Sequence, residues 1–400
     1  MDTLNPLGHR SLSGLDESGA LGEPHVLVDA DNATLVLRDT NGRERTCSDF
    51  MSAYASVNFG HRNREVEEAL TRGSDLAALF YPEEAELLSR RLCAAVGGGA
   101  RKVLYQVGGS FAVSTAFALA RRRRPGRILA IEGAFHGLGL DALAATTVQR
   151  DIALQDTGLS ALLSTQIEHL PVGSFPETWQ DISAVIYEPV QGANGYVPLD
   201  AGWLAELEGR ARKNGVLTIS DEIQCGFHRH GSLSPSRAWG LAPDIVLFGK
   251  SLTNGTYPLS AVVYQDELER SVAGRVHLAH TFQTATLGFR AALRVFGYLD
   301  SNPVAGMGER IAELFRDRAE KWSADGLVRD LHVTGPALSF EPARVAGSEA
   351  VQTAFDCGVL MLSGGARGRR IRIAPPLTTP LEQIIAGLDV VGGALAGRRA

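Results

Sequence analysis

The sequence has 400 residues, of which 44% are hydrophobic and 21% charged, and its 39 basic and 45 acidic residues give a net charge of −6. This composition is typical of a globular protein and excludes disordered, collagen-like and coiled-coil chains. The negative balance provides no basic field to attract nucleic acid or a membrane surface, so we expect neither as a partner. At about 150 residues per domain, the length predicts two or three domains.

No stretch of the sequence approaches the ~18 apolar residues that a membrane span requires. The first residues, MDTLNPLGHRSLSG, include an acidic second residue and an early proline, and they lack the apolar core of a secretory signal. Four cysteines, Cys47, Cys93, Cys225 and Cys357, lie far apart and form no CxxC pair. We therefore expect reduced thiols in a cytoplasmic protein.

After an N-terminal arm and short strands over residues 26–36, apolar runs of strand length alternate with helical patterns. Helices are predicted at 83–96, 110–123 and 201–213, and strands at 103–105, 128–131, 184–187, 216–219, 244–248 and 259–264. Apolar runs without alternation indicate strands that are buried on both faces. Residues 46–290 are therefore predicted to form one large α/β domain around a mostly parallel sheet.

The character of the chain changes in its last third. Helices are predicted at 287–299, 304–322 and 381–395, and strands at 333–340 and 370–373. This pattern predicts a smaller α+β domain over residues 291–400. The N-terminal segment 1–45 is expected to join it.

Lysine is rare in this chain, because only four of the 39 basic residues are lysines. Lys102, Lys213 and Lys321 are most simply surface charges. Lys250 instead follows the apolar run 244–248, where a desolvated amine with a lowered pKa would suit Schiff-base chemistry. The alternative is a lysine that merely extends into solvent from a strand end.

Other polar groups follow predicted strands in a similar way. Asp221 ends an apolar run, the Gly-Gly-Ser turn 108–110 leads into a helix, and Phe135 and His136 follow a third strand. Each has an ordinary explanation: a turn or helix cap, a common strand-to-helix turn, or a packed aromatic ring. Together with Lys250 they match the needs of pyridoxal phosphate, namely an anion cradle, a ring stack, a carboxylate for the ring nitrogen and a lysine.

Longer motifs occur in the same order. They are DFMSAYASVN at 49–58, YEPVQG at 187–192, SDEIQCGFHR at 220–229, FGKSL at 248–252, YPLSA at 257–261, HTF at 280–282 and IRIAPPL at 371–377. In these motifs the chain resembles the class III pyridoxal-phosphate aminotransferases of the ornithine and ω-amino acid type, over roughly residues 26–385. The resemblance implies fold type I, with a large cofactor-binding domain and a smaller C-terminal domain.

The resemblance also implies roles for individual residues. Lys250 would form the Schiff base with pyridoxal phosphate, Asp221 would pair with its ring nitrogen, and both count as catalytic. Thr281 would reach the phosphate of a neighbouring subunit, which implies a homodimer with the active site at its interface. The full set of residues that the resemblance assigns to the cofactor is Gly109, Ser110, Phe135, His136, Glu188, Asp221, Gln224, Lys250 and Thr281.

For the substrate, the resemblance implies that Arg372 binds a carboxylate and that Tyr54 lies nearby. Several positions depart from the family pattern, and three of these departures are single residues. Ala193 stands where ornithine-type enzymes usually carry an acid that can pair with the arginine, Leu138 stands where an arginine is usual, and Phe111 replaces a glutamate. Because the first two concern the substrate pocket, the resemblance to ornithine-type enzymes does not extend to ornithine, acetylornithine or lysine as the donor.

The predicted function is transfer of an amino group from an amino-acid donor to a ketone, aldehyde or keto-acid acceptor, in the biosynthesis of a specialised metabolite or peptide. An aminomutase or racemase on the same fold is the alternative. A cofactor-binding protein without activity is disfavoured by the presence of Lys250 and Asp221. His228 and His230 lack a third ligand at a suitable spacing, so no metal site is predicted.

Overall fold

The computed structural model describes residues 21, 25–71, 80–148, 166–274 and 278–398. Most of the predicted N-terminal arm lies outside the described residues. The strands are β1 (Val26–Asp31), β2 (Thr34–Arg38), β3 (Glu44–Asp49), β4 (Arg101–Gln106), β5 (Arg127–Ile131), β6 (Ile167–Leu170), β7 (Ile182–Tyr187), β8 (Val190–Gln191), β9 (Val197–Pro198), β10 (Leu217–Asp221), β11 (Ile245–Phe248), β12 (Ser260–Gln265), β13 (Val328–Val333), β14 (Leu338–Pro342), β15 (Val359–Leu360), β16 (Leu362–Gly364) and β17 (Arg370–Ile373).

The helices begin after β3 and alternate with the strands through the middle of the chain. They are α1 (Arg64–Glu67), α2 (Glu83–Val96), α3 (Gly109–Arg123), α4 (Leu140–Ala145), α5 (Ala201–Lys213), α6 (Pro235–Ala238), α7 (Asp266–Val272), α8 (Thr286–Ser301), α9 (Val304–Ala324), α10 (Gly347–Asp356) and α11 (Leu381–Leu395). Among the described residues, no helix has the length and apolar content to cross a membrane.

Seven strands form the central sheet, in the order β4-β12-β11-β10-β7-β5-β6. Only β12 runs antiparallel to its neighbours. Every residue of β7, β10 and β11 is buried. The predicted mostly parallel sheet, buried on both faces, is thus confirmed.

Helices cover both faces of this sheet, and the side chains of β7 divide between two apolar clusters. Ala184 and Ile186 belong to a cluster with Phe117 of α3. Val185 and Tyr187 belong to a cluster with Leu204 of α5. This alternation is the two-residue period of a strand whose faces are both packed.

The carboxyl ends of the parallel strands meet at one edge of the sheet. β7 is followed there by Glu188, β10 ends at Asp221, and β11 is followed by Gly249 and Lys250. Because β12 is antiparallel to both β11 and β4, β4 also ends at this edge and leads into α3 at Gly109. In open α/β sheets, ligands bind at such an edge.

Two four-stranded sheets flank the central sheet, in the orders β1-β2-β3-β15 and β13-β14-β17-β16. The single strand predicted over 333–340 is wrong, because β13 and β14 form an antiparallel pair there. Gly335, at φ +56°, and Pro336 lie in the tight turn that reverses the chain, and the N–H of Thr334 donates to the carbonyl of Ala337 at 2.9 Å. The domain boundaries at 45 and 290 remain a prediction.

Candidate active site

A cavity of about 280 Å³ lies at the carboxyl edge of the central sheet. Eight of the eleven residues that the sequence assigned to the site line it, together with Gly137, Leu138 and Ile223. These eight are Gly109, Ser110, Phe135, His136, Glu188, Asp221, Gln224 and Lys250. We call this space the first cavity.

Lys250 begins a short 3₁₀ helix, Lys250–Thr253, directly after the Gly249 that follows β11. Its backbone is left-handed, at φ +47°. Within the part of the chain that the structure describes, no carboxylate oxygen lies within 4 Å of Nζ. Burial lowers the pKa of the amine to about 8, and this effect exceeds the opposing attraction of Glu188 and Asp221. A substantial fraction of Lys250 is therefore neutral at slightly alkaline pH.

Asp221 is held by a buried histidine. Its Oδ2 lies 2.7 Å from Nδ1 of His136, and its Oδ1 accepts the N–H of Ile223 at 3.1 Å. Nε2 of His136 is buried and has no hydrogen-bond partner. The pair fixes the orientation of a buried carboxylate that faces the cavity.

Glu188 is buried and bonds to two backbone segments. Its Oε1 accepts the N–H of Phe135 at 2.7 Å, and its Oε2 accepts the N–H of Gly192 at 3.1 Å. Burial raises the pKa of this carboxyl to about 7. Glu188 thus fixes the backbone that carries the Phe135 ring and the backbone that precedes Ala193.

The N-terminus of α3 opens into the first cavity through Gly109 and Ser110. The first backbone N–H groups of a helix have no partner within the helix, and they favour an anion. Ser110 Oγ accepts the N–H of Leu138 at 3.2 Å, which ties the loop after Phe135 to this helix end. A side chain at Gly137, where φ is +126°, would collide with Ser110.

A second cavity of about 520 Å³ adjoins the first, and Phe135, Leu138, Gln224 and Lys250 line both. The two predicted substrate residues, Tyr54 and Arg372, line only this second cavity. The remaining residues that line it are Ala53, Ser56, Ala193, Leu362 and Ser363. Among the described residues that line this cavity, Lys250 and Arg372 are the charged groups.

Arg372 lies on β17 and is 6% exposed. Its Nη1 donates to the carbonyl of Gly192 at 3.3 Å, and its Nη2 donates to the carbonyl of Ser363 at 3.1 Å. Nε has no partner, and none of the described carboxylates forms an ion pair with this guanidinium. The cavity thus contains a cation whose charge no acid neutralises.

The wall opposite β17 includes an unusual turn, because all four residues Ser52–Ala55 have positive φ angles between +47° and +64°. None of them is glycine, and the left-handed conformation costs about 1–2 kcal/mol for each such residue. Hydrogen bonds hold the turn at both ends. Asp49 Oδ1 accepts the N–H of Ser52 at 2.9 Å, and Ser251 Oγ donates to the carbonyl of Ala55 at 2.6 Å.

Thr281 is the one predicted site residue that lines neither cavity. It is exposed at the start of the short 3₁₀ helix Thr281–Thr284. Conversely, sequence reasoning missed Ile223, Leu362 and Ser363. The motif that contains Asp221 and Gln224 could have revealed Ile223, whereas β16 reaches the site only through its pairing with β17.

His228 and His230, considered above as metal ligands, are packed into the fold. The carbonyl of Thr334 lies 2.9 Å from His230 Nδ1, and burial lowers the pKa of His230 to about 3. No group of three histidine, cysteine or acidic side chains in the described ranges could hold a metal ion.

Comparison with known proteins shows that the chain belongs to the class III aminotransferases. The model of the family "Aminotransferase class-III" matches residues 20–395. The 5-aminovalerate aminotransferase DavT of Pseudomonas putida is 29% identical, over 93% of this chain and 94% of that protein. The 4-aminobutyrate aminotransferase GabT of Escherichia coli is 28% identical, over 88% of this chain and 89% of that protein.

Solved structures agree in fold. The ornithine aminotransferase of Toxoplasma gondii superposes with a TM-score of 0.82 at 24% identity, and covers 94% of this chain and 91% of its own. A transaminase from the marine bacterium Virgibacillus gives a TM-score of 0.84 at 20% identity, covering 98% and 97%. The predicted fold type I architecture is confirmed.

The lowered pKa of Lys250 predicts a pH-dependent stability in the cofactor-free protein. Below pH 8 the amine is charged both folded and unfolded, so folding at pH 7 must bury a charge. Lys250→Met is expected to stabilise the protein at pH 7 by about 2–3 kcal/mol. Between pH 8 and the ordinary lysine pKa of ~10.4, Lys250 of the wild type is neutral in the folded state and charged in the unfolded state. The free energy of unfolding of the wild type therefore rises with pH, and the stability advantage of Lys250→Met disappears.

Thermal unfolding at pH 7, 9 and 10.5 would measure the effect, with the exposed Lys213 changed to Met as a control. A gain for Lys250→Met that stayed constant with pH would contradict a lowered pKa.

Proposed function

Because this chain belongs to the class III aminotransferases and depends on pyridoxal phosphate, we propose that its first cavity holds this cofactor and its second cavity holds the substrate. The observation that carries the proposal is the position of Lys250. Lys250 lines both cavities, and its amine has no carboxylate oxygen within 4 Å among the described residues. It is thus placed to react with a group in either cavity.

The residues of the first cavity fit pyridoxal phosphate, which has a phosphate, a basic ring nitrogen, a flat ring and an aldehyde. The N-terminus of α3 suits the phosphate, Asp221 suits the protonated nitrogen, Phe135 and Ile223 offer apolar walls for the ring, and Lys250 suits the aldehyde. When bound, the cofactor supplies an aldehyde that condenses with amines and a ring that stabilises negative charge.

We assign the remaining chemistry to the side chains of this chain. Lys250, in its neutral form, would take a proton from the substrate carbon that bears nitrogen and would deliver it to the cofactor carbon on the other side of that nitrogen. Asp221, oriented by His136, balances positive charge at the ring nitrogen. Glu188 positions Phe135 through its backbone N–H, at 2.7 Å. Gln224 lines both cavities and could donate a hydrogen bond to a polar group of the cofactor or of the substrate.

For the substrate, we propose a compound with a single carboxylate that pairs with Arg372. A planar guanidinium can bind a carboxylate through two hydrogen bonds, and no internal acid competes for it. In the part of the lining that the structure describes, Lys250 is the one cation besides Arg372. 5-Aminovalerate and 4-aminobutyrate, which give the two relatives their names, belong to this chemical class.

The other reaction partner is proposed to be recognised mainly by shape and apolar contact. Leu138, Ala193 and Leu362 line the same cavity as Arg372. A ketone or aldehyde on a specialised metabolite or peptide fits such a surface. The relatives reported above are named as aminotransferases, and no observation favours the isomerase alternative.

We also propose a homodimer in a reducing, cytoplasmic setting. Thr281 lies outside both cavities of its own chain, while Phe111, Leu138 and Phe282 expose 59%, 66% and 53% of their surface. Exposed apolar side chains near a site are typical of an interface. All four cysteines are described and are free of disulfides, which supports a reducing location.

The substrate proposal predicts that Arg372→Ala impairs the reaction of carboxylate donors selectively. The Michaelis constant for a carboxylate donor is expected to rise about 10- to 100-fold. This factor corresponds to the loss of one charged hydrogen-bonded pair, which contributes ~1.5–3 kcal/mol to binding. A donor amine without a carboxylate should be little affected. Steady-state kinetics with 5-aminovalerate and pentylamine would decide, with Arg372→Lys as the variant that keeps the charge but loses the planar fork. Equal effects on both donors would contradict the proposal that Arg372 binds the carboxylate.

The role of Asp221 predicts that Asp221→Asn retains the cofactor but slows turnover by about one to two decades, because an amide cannot balance a positive ring nitrogen. Asp244→Asn is the matched control, since Asp244 also accepts a backbone N–H, from Thr218 at 2.8 Å, but lies at the opposite edge of the sheet. Cofactor titration and single-turnover rates would be compared. A near-normal rate in Asp221→Asn would leave Asp221 as a turn residue only.

The dimer proposal predicts complementation between two inactive variants. Thr281→Asp should weaken cofactor binding in the neighbouring subunit, because its carboxylate would repel the phosphate, and Lys250→Ala should be inactive. When co-expressed, a mixed dimer contains one site with Lys250 of one chain and Thr281 of the other. The mixture should therefore regain activity that neither variant shows alone. Failure to regain it, with mixed dimers verified by mass, would argue that Thr281 acts within its own chain or not at all.

A further inference from the structure

Arg229 is a fully buried arginine that forms no ion pair within 4 Å among the described residues, and Asp49 is the carboxylate that attracts its charge. Burial lowers the pKa of its guanidinium to about 10, so it remains protonated near neutral pH. A buried charge is costly unless hydrogen bonds satisfy it. Nη1 donates to Ser52 Oγ at 3.2 Å and to the carbonyls of Ala374 at 3.1 Å and Pro375 at 3.0 Å, and Nη2 donates to the carbonyls of Pro375 at 3.0 Å and Pro336 at 3.3 Å.

The loop that presents Arg229 is itself fixed by backbone hydrogen bonds. The N–H of Phe227 donates to Leu233 at 2.9 Å, and the N–H of His228 donates to Ser232 at 2.8 Å. The loop follows β10 and begins only a few residues after Asp221. Arg229 therefore extends from the central sheet, which carries the first cavity, towards segments outside that sheet.

Those segments form two walls of the second cavity. Ser52 opens the left-handed turn, and Tyr54 of that turn lines the cavity. Ala374 directly follows β17, and Arg372 of that strand lines the cavity from another side. Ser52 Oγ, which accepts from Arg229, also donates to the carbonyl of Ala374 at 2.6 Å.

The Arg229 guanidinium thus contacts both walls. On one wall it bonds to Ser52, two residues before Tyr54, and on the other it bonds to Ala374, two residues after Arg372. The far end of the turn is anchored separately, because Ser251, next to Lys250, bonds to Ala55, and Gln224 Nε2 donates to the carbonyl of Tyr54 at 3.2 Å. Without Arg229, the turn would keep its link to the lysine but lose a link to the strand that carries Arg372.

We propose that Arg229 is a positioning residue that sets the distance between the Tyr54 turn and Arg372, and thereby the affinity of the second cavity for a carboxylate. The inference rests on the proposed role of Arg372. Arginine suits this task because its rigid fork satisfies several carbonyls in fixed directions, which a lysine ammonium on a flexible stem cannot do. A loss of about 1 Å in placement is enough to weaken recognition substantially.

The test replaces Arg229 with Lys in the cofactor-loaded enzyme and compares it with Arg101→Lys. Arg101 is a matched control, because its guanidinium also bonds to three backbone carbonyls, of Gly97, Pro243 and Asp244, at the opposite edge of the sheet. Calorimetry would measure the dissociation constants of valerate and of its neutral analogue valeramide. Amide hydrogen exchange would follow peptides that cover residues 50–56 and 370–376.

For Arg229→Lys we expect the preference for valerate over valeramide to fall roughly tenfold or more, with faster exchange in both peptides and little change in cofactor affinity. Arg101→Lys should leave all three unchanged, even if it lowers the melting temperature. Ser52→Ala, which removes the hydroxyl between Arg229 and Ala374, should act in the same direction and is decisive if Arg229→Lys fails to fold.

An unchanged valerate preference in the folded Arg229→Lys variant, or in Ser52→Ala, would overturn the inference and leave Arg229 with a role in stability alone. Equal effects from Arg101→Lys would overturn it as well. A failure of the proposed function is visible separately, because the wild type and Arg372→Ala would then show the same valerate preference. That result would contradict the proposed carboxylate binding by Arg372, and with it the inference about Arg229.

Discussion

The geometry of this protein depends on the meeting of strand ends at one edge of its central sheet. Hydrogen-bonded registers between β7, β10 and β11 fix the relative positions of Glu188, Asp221 and Lys250, which follow or end those strands. Because β12 is antiparallel to both β11 and β4, β4 runs in the same direction as β11, and the N-terminus of α3, which follows β4, lies at the same edge. An amine, two carboxylates and a helix N-terminus are thereby held by a rigid scaffold rather than by mobile loops.

The charges gathered at this edge are only partly satisfied by the protein. Arg372 leaves its Nε without a partner, Lys250 has no carboxylate oxygen within 4 Å of its amine among the described residues, and the carboxyl of Glu188 is buried with two backbone N–H groups as its partners. Groups of this kind destabilise the empty fold. Ligands of complementary charge offset that cost when they bind, so occupancy of the site and stability of the fold are thermodynamically linked.

Much of this site could be predicted from sequence, because strand-end residues of a parallel sheet converge wherever the apolar runs are read correctly. Asp221 and Lys250 are examples, whereas Glu188 was indicated only by the family resemblance. Features made by tertiary contact were not predictable in the same way. No glycine marks the left-handed turn Ser52–Ala55, whose conformation depends on Asp49, Arg229 and Ser251. In place of the single strand expected over 333–340, the chain turns at Gly335 and Pro336 and forms two strands. Gly and Pro are local turn signals, but the surrounding apolar residues were interpreted as a continuous strand.

The parallel pairing of β3 with β15 has a consequence for biosynthesis. Ser48 lies opposite Val359, and the N–H of Phe50 donates to the carbonyl of Leu360 at 2.9 Å. At ~5–20 residues per second, a ribosome needs roughly 15–60 s to make the stretch between these partners. The central sheet, whose last strand ends at Gln265, can form during that interval, whereas the pairing that holds the segment before the Ser52 turn must wait until β15 has been made. A nascent chain therefore acquires the buried amine of Lys250 before it acquires a complete second cavity, whose lining includes Leu362 and Arg372.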